Sequence, residues 1–598
     1  MNGGAQNASR RRVAVLPDVS GIDRTFVYEV PDDLEGAVGI GTIVRIPLHG
    51  RRVRGWVVDE DREPGEREVL PIAGFVSIGP TREVVELCRF GAWRYAGRLR
   101  PFLVASSPER IVRGLPDIRP KTRRPNTTID ATIASAVGRA FANRSSVLRL
   151  PPAAPRFDVV VAAIEASKER GLLVLVPERA DVELLSRRLS RIGVEAAAQP
   201  DGFAAAVLGR EVVVGTRTSA FAPSPALGGV VVLDAHAEAY AEQRAPTWDA
   251  TVIVQERARR AEIPCVLVSA CPTLVEHASA ELVTVEPQVE RHGWATFEMI
   301  DRRTDDPRSG LFSPALGEIV RSQRRADPDA FVVCVLNRTG RARLLACSQC
   351  KALTRCERCG AALKEHGGDV DPESALSCPV CGASRPFVCA VCGSTRLSRL
   401  RLGTARVAEE LAALIGEPVA EVSAPSEESD REGVGVFVGT EAVLHRLRRA
   451  ALVIFLDFDQ ELLAPRYRAG EQSLVLLSRA SRLVGDRSEK GRVLVQTRLP
   501  DHEVLLAAKS GDPGLFVKSE SARREALGLP PYRALAEVSG EEAAPFCERL
   551  LRDGLDVGEI EPGRFLVRAE DSSVLADALR RGGAPKEGVR VAVDPVRL

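Results

Sequence analysis

Eight of the chain's thirteen cysteines form four Cys-x-x-Cys pairs within a short stretch: Cys347/Cys350, Cys356/Cys359, Cys378/Cys381 and Cys389/Cys392. A pair at this spacing grips one metal ion from a tight turn, and two such turns complete a tetrahedron of soft thiolates, the set that Zn²⁺ favours. Eight ligands imply two closed four-Cys sites. A closed site leaves no position for water, so it organises a fold and performs no hydrolysis. Disulfides would require an oxidising compartment, and a redox Cys-x-x-Cys ordinarily stands alone. Cys88, Cys265, Cys271, Cys334 and Cys547 sit among apolar residues and read as small buried hydrophobes. His366 reads as a surface residue, because the pairs already saturate two ions.

The 598 residues predict about three to five domains. The net charge of +1 means that any nucleic-acid surface has to be local. Aromatics at 5% leave few base-stacking platforms. The basic triplet Arg10–Arg12 precedes only four apolar residues, too short for a signal-peptide core, and no apolar run approaches the length of a membrane span. The expectation is a cytoplasmic protein with no membrane contact.

Residues 13–105 alternate apolar runs with turns, predicting strands at 42–47 and 54–58, a helix over Glu83–Arg98 and a small, mostly β domain. Residues 116–127 combine proline and positive charge and read as an extended linker. From about residue 130, buried strands (Leu172–Val176, Val212–Val214, Val230–Leu233, Cys265–Val268) alternate with helices such as Asp181–Ile192 and Ala250–Ala261, the signature of a parallel sheet covered on both faces. The pattern recurs with strands at Phe331–Leu336, Val434–Val438, Leu452–Leu456 and Val493–Gln496, and the cysteine module interrupts it after its first strand. The tail predicts strands near Ala534–Val538, Phe565–Val567 and Val589–Val593 and a helix near Ser573–Arg580, a small α+β unit.

Several segments, in order, resemble the bacterial replication-restart family of PriA, primosomal protein N′. They are Gly215-Thr-Arg-Thr-Ser-Ala, Leu336-Asn-Arg-Thr-Gly before the cysteines, Leu402-Gly-Thr-Ala-Arg after them, Arg523-Arg-Glu-Ala-Leu-Gly-Leu-Pro-Pro-Tyr, and Val593-Asp-Pro. The resemblance implies a multidomain α/β protein. An N-terminal 3′-DNA-end-binding domain would span 1–115 and a basic linker 116–130. Two RecA-like helicase lobes would follow, at 131–295 and at 296–345 with 394–515. A two-zinc module would occupy 346–393 and a C-terminal α+β domain 516–598. It also implies nested zinc pairing: Cys347, Cys350, Cys389 and Cys392 hold one ion, and Cys356, Cys359, Cys378 and Cys381 the other. In the N-terminal domain Phe26, Tyr28 and Gly50 match the family's DNA-end site. Val27 stands where the family carries an acid for the terminal sugar, and Phe26 and Tyr28 fit plain strand core equally well.

The family's motor motifs are degraded. Where a Gly-rich P-loop ending in Gly-Lys-Thr would cradle phosphates, this chain has Leu150-Pro-Pro-Ala-Ala-Pro-Arg156, with no Gly or Lys and three prolines that lack an N–H. Arg156 reads as a surface residue. The acidic motif is reduced to Leu233-Asp-Ala-His, keeping Asp234 but placing Ala235 where a glutamate would orient water. Ser478-Arg-Ala-Ser-Arg only loosely matches the family's arginine-finger segment. No catalytic or cofactor-binding residue is assigned, and ATP and Mg²⁺ are not expected ligands. The two Zn²⁺ are the expected cofactors.

The reading that follows is a monomeric restart protein that binds forked or single-stranded DNA and helps assemble the primosome with replication proteins, without an ATP-driven motor. Two alternatives stay open: an active ATP-dependent 3′-to-5′ helicase with a rebuilt nucleotide site, and a zinc-stabilised protein-interaction scaffold that does not touch DNA. Candidate basic surfaces are Arg10–Arg12, Lys121–Arg124 and Arg446–Arg449.

Overall fold

A computed structural model describes residues 11–60, 69–115, 127–168, 170–210, 212–305, 310–336, 345–350, 384–399, 404–422, 433–464, 466–583 and 588–596, with isolated residues between 352 and 377. The chain forms two compact units, one comprising Met1–Arg291, Pro465–Val475 and Gly511–Leu598, the other His292–Ala464 and Leu476–Ser510. Among the described residues no helix is long and apolar enough to cross a membrane.

The first unit begins with five antiparallel strands: β1 (Arg12–Pro17), β2 (Phe26–Glu29), β3 (Ile43–Leu48), β4 (Arg51–Glu60) and β5 (Gly74–Ser77), in the order β2-β1-β4-β3-β5. Both faces carry apolar residues because each is covered. Val13, Val15, Val44, Ile46 and Val57 pack on one side. Ala14, Leu16, Ile43, Trp56 and Val58 pack on the other, against helix α1 (Arg82–Arg94) and helix α2 (Leu99–Ala105). The helix expected over 83–98 ends at Arg94, because Ala96 takes a left-handed φ of 47° and turns the chain toward α2. The Thr81 side chain caps α1 by accepting from the Val84 N–H, an interaction worth about 1 kcal/mol.

The same unit contains a seven-stranded, wholly parallel sheet. Its order is Glu281–Thr284, Ser145–Arg149, Cys265–Ser269, Leu227–Leu233, Gly171–Leu175, Val212–Gly215 and Ala196–Ala198. Successive residues of each strand enter opposite cores: Leu173, Leu175, Val230 and Val232 on one face, Leu172, Val174, Val231 and Leu233 on the other. That double burial explains the uninterrupted apolar runs. The C-terminal four-stranded antiparallel sheet runs Asp556–Glu561, Arg564–Ala569, Ala534–Ser539, Arg590–Val593. One apolar cluster continues from Ala14 and Trp56 through Val230 to Leu575 and Val593, so the N-terminal sheet, the parallel sheet and the C-terminal sheet share a core. Polar ties reinforce it: Arg94 to Asp594 at 2.6 Å, Trp93 Nε1 to Asp577 at 2.8 Å, and Arg257 Nε to Glu83 at 3.2 Å.

The second unit is built on six parallel strands, ordered Thr296–Asp301, Arg492–Thr497, Leu452–Phe455, Val332–Val335, Val436–Gly439, Val419–Val422. Short ribbons follow the strand Val332–Val335 in sequence. Leu345–Cys347 pairs with Leu397–Arg399, and Lys364–Glu365, Leu376–Ser377 and Ser384–Arg385 form a small three-stranded sheet. Leu345, Leu363 and Leu376 supply its core.

Candidate functional site

In α/β sheets of this kind, ligands collect beyond the carboxyl ends of the parallel strands. In the first unit Leu150 follows one central strand and Asp234 another. Pro151 and Pro152 are buried, and the chain enters the helix Arg156–Ala166 with Pro155 as its N-cap residue and no side-chain cap. At the first helical position Arg156 donates from Nη1 to Asp234 Oδ2 at 2.6 Å and lies 3.8 Å from Asp181. Arg156 keeps a partly exposed side chain, and the ion pair to Asp234 is what the sequence reading did not place. Asp234 is only 6% exposed, and a buried carboxylate draws a cation to it. Asp234 holds a left-handed φ of 51°. The neighbouring Tyr240 hydroxyl donates to Leu233 O at 2.6 Å. Burial first, and then the Asp234 and Asp181 charges, push that phenol well above its usual pKa. His236 Nδ1 lies 2.7 Å from Ser269 Oγ, both buried.

In the second unit the structure brings together Cys347, Cys350, Cys389 and Cys392, with all four sulfurs within 4.8 Å of one another. Cys347 to Cys392 and Cys350 to Cys389 are each 3.5 Å. A tetrahedron with Zn–S bonds of about 2.3 Å has edges of about 3.8 Å, so the set fits a Zn²⁺ after small adjustment. Two tight turns present the thiols. Cys389 O accepts from Gly393 N–H at 2.9 Å, and Gly393 takes a φ of 71° that favours glycine. Backbone N–H groups of Cys350 and Gln349 pull the Cys347 thiol down to about 6, and those of Cys392 and Val391 lower Cys389. At Cys347 and Cys389 these groups favour the thiolate that a metal needs, whereas Cys392 is pushed up by the neighbouring sulfurs. Cys356, Cys359, Cys378 and Cys381, and His366, lie outside the described residues. The five remaining cysteines are buried.

Of the N-terminal candidates, Tyr28 is 4% exposed and spends its hydroxyl on Pro47 O at 2.9 Å. Phe26 is half-buried beneath the Arg24 guanidinium, 4.8 Å from the ring centroid. Gly50 is exposed at the β3–β4 turn, where His49 and Gly50 take φ of 47° and 76°. Two consecutive left-handed residues make a type I′ hairpin turn, so the turn itself requires this glycine.

The basic triplets fare differently. Arg10 and Lys121–Arg124 lie outside the described residues. Arg11 donates to Glu35 O and Val38 O, and Arg12 pairs with Glu29 at 3.8 Å. Arg449 pairs with Glu489 at 3.1 Å. Sequence inspection misses a denser cluster. Across the hairpin, Arg45 lies directly opposite Arg54, and Pro47 opposite Arg52. Residues directly opposite share a face, so Arg45, Arg52 and Arg54 project together, all exposed, with Arg51 and His49 at the tip. The period-two spacing of Arg52 and Arg54 is a faint signal, and the strand register completes it.

Residues 13–108 match the family model described as the 3'DNA-binding domain (3'BD) of PriA. The chain is 28% identical over 415 residues to the replication restart protein PriA of Bacillus subtilis, covering 63% of this chain and 51% of that one. It thus spans about half the length of that relative. It is also 28% identical over 656 residues to the "Probable replication restart protein PriA" of Mycobacterium tuberculosis, covering 96% and 99% of the two chains. Among solved structures it is similar to S. cerevisiae Dbp5 bound to RNA and ADP BeF3, with 10% identity, coverage of 67% and 98%, and a TM-score of 0.34.

Proposed function

The chain belongs to the PriA family, and from that premise we propose that it is a replication-restart protein that binds DNA at stalled forks and helps assemble the primosome without an ATP-driven motor. In this reading the two parallel sheets are the two helicase-type lobes, the cysteine ribbons carry two zinc ions, and the protein works in the cytoplasm.

One observation carries the motor-less part: Arg156 forms a 2.6 Å ion pair with Asp234. A P-loop enzyme needs an open cradle of backbone N–H groups and an acid free to hold Mg²⁺. Here Pro151, Pro152 and Pro155 supply no N–H donors at three positions of the segment. The acid's charge is met by the Arg156 side chain. Losing a single preorganised donor costs roughly 100- to 1000-fold in rate, and several are replaced at once. What remains is a folded support for DNA and protein contacts.

The test is ATP hydrolysis by the zinc-replete chain with forked DNA present. Turnover at background is expected. Robust DNA-stimulated turnover that Asp234→Ala abolishes refutes the proposal and favours a rebuilt nucleotide site.

A further inference from the structure

We propose that the β3–β4 hairpin is a grip for the DNA sugar-phosphate backbone, centred on Arg45, Arg52 and Arg54, and that it holds DNA independently of the strand's 3′ end. This deepens the DNA-binding reading above and rests on it.

The face of the N-terminal sheet that carries these arginines has two halves. Toward one end, Ile43 and Trp56 face each other and are buried with Leu16 and Val58. Toward the hairpin tip the same face continues as Arg45 opposite Arg54 and Arg52 opposite Pro47, all three arginines exposed. On the third strand the neighbour of Arg45 is Gly74, which offers no side chain to screen it. Like charges directly opposite on a ladder are destabilising, so the fold bears a cost that a polyanion would relieve. The acid that answers the cluster is Asp18, 3.2 Å from Arg54 and shared with Arg100 at 2.7 Å. Arg45, Arg51 and Arg52 make no ion pair among the described residues. In a chain of net charge +1 this is a local field. The type I′ turn holds the two strands in fixed register, and residues 52 and 54 stand about 6.8 Å apart, comparable to successive phosphates of an extended strand. Planar guanidinium forks suit phosphate oxygens.

The strand-end candidates point away from end recognition. The Tyr28 hydroxyl is committed to Pro47 O, Gly50 serves the turn, and Val27 has no carboxylate for a terminal sugar. Contacts to phosphates position a strand and carry no sequence or end information.

The experiment is fluorescence anisotropy of the full, zinc-loaded chain across a salt series. It uses a labelled single strand ending in 3′-hydroxyl, the same strand ending in 3′-phosphate, and a blunt duplex. Arg45→Ala/Arg52→Ala is expected to weaken binding about tenfold at low salt. The log–log salt slope should become shallower by about 1.4 on the single strand or about 1.8 on the duplex, and the larger change identifies the preferred form. Both 3′ ends should respond alike. Arg45→Lys/Arg52→Lys should restore most of the slope, and the thermal midpoint of the alanine variant should not fall, since like charges have been removed. Wild-type binding that survives the alanine pair unchanged overturns the grip while leaving the DNA-binding reading intact. Strong preference for the 3′-hydroxyl strand, retained in the variant, overturns it in favour of an end pocket. No wild-type binding on any substrate overturns both.

Discussion

Replacing Arg156 by methionine removes the cation from Asp234 while keeping much of the side-chain volume. The pair is 2.6 Å long, Asp234 is 6% exposed, and the Arg156 side chain is 33% exposed. Breaking a fully buried pair costs about 3–5 kcal/mol, and an exposed one about 0–1 kcal/mol. A carboxylate that cannot reach water, facing an arginine that partly can, falls between these limits. Arg156→Met should therefore cost about 2–3 kcal/mol by this interpolation.

The asymmetry is the sharper test. In Asp234→Asn the arginine keeps Asp181 at 3.8 Å and its access to solvent, so that change should cost only about 1 kcal/mol. The double variant should cost about 1–2 kcal/mol less than the sum of the singles, because the stranded carboxylate is gone. The readout is native-state hydrogen exchange at the amides of Leu227–Leu233, which report opening of the strand that leads into Asp234. Strict additivity, or Asp234→Asn costing as much as Arg156→Met, would refute the reasoning. No variant in this set should gain ATPase activity.

Glu276 offers a pH test. It is buried in a capping box, accepting from Thr273 N–H at 2.8 Å, and burial pushes its carboxyl up to about 8 from 4.5. The folded state thus prefers the protonated acid. The associated stability is fully present below pH 4.5 and is lost as pH rises through about 8. Glu276→Gln keeps the cap acceptor and should flatten the fall in thermal midpoint between pH 5 and pH 8; equal slopes in both proteins would contradict this. For the metal centre, Cys350→Ser should lower the bound zinc by one equivalent and expose the ribbon amides of Leu345–Cys347 and Leu397–Arg399 to exchange, since structural zinc carries folding energy of about 10–16 kcal/mol in small fingers. Unchanged zinc content would remove Cys350 from the ligand set.

The parallel sheets were legible because strands buried on both faces leave uninterrupted apolar runs, as at Leu172–Val176 and Val230–Leu233. The strand Asp556–Glu561 was not, because its mostly exposed side chains leave no such run. Thr296–Asp301 fails for the same reason, with one buried residue among six. The four-Cys group was legible as chemistry from spacing, whereas its partnering came from the family resemblance. Arg156 could not be placed from sequence, since its partner lies 78 residues away and only the adjacency of two strand ends joins them. The hairpin cluster fails differently: Arg45 and Arg54 are ordinary exposed strand residues until the register sets them face to face.

A motor must alternate between arrangements of its parts, and such alternation requires a bistable element that a ligand can bias. On the proposed motor-less reading, the Arg156–Asp234 ion pair of the first unit stands where such a bias would have to act. The surrounding packing agrees. Trp56, farther along the sheet face that carries the arginines, Val230 of the strand leading into Asp234, and Val593 of the C-terminal sheet lie in one continuous apolar cluster, and close-packed cores do not deform continuously. If the hairpin grips DNA as proposed, strain applied there would pass into the parallel sheet and the C-terminal sheet together. On the proposed DNA-binding reading, this packing would make the unit a stiff mount for a bound strand.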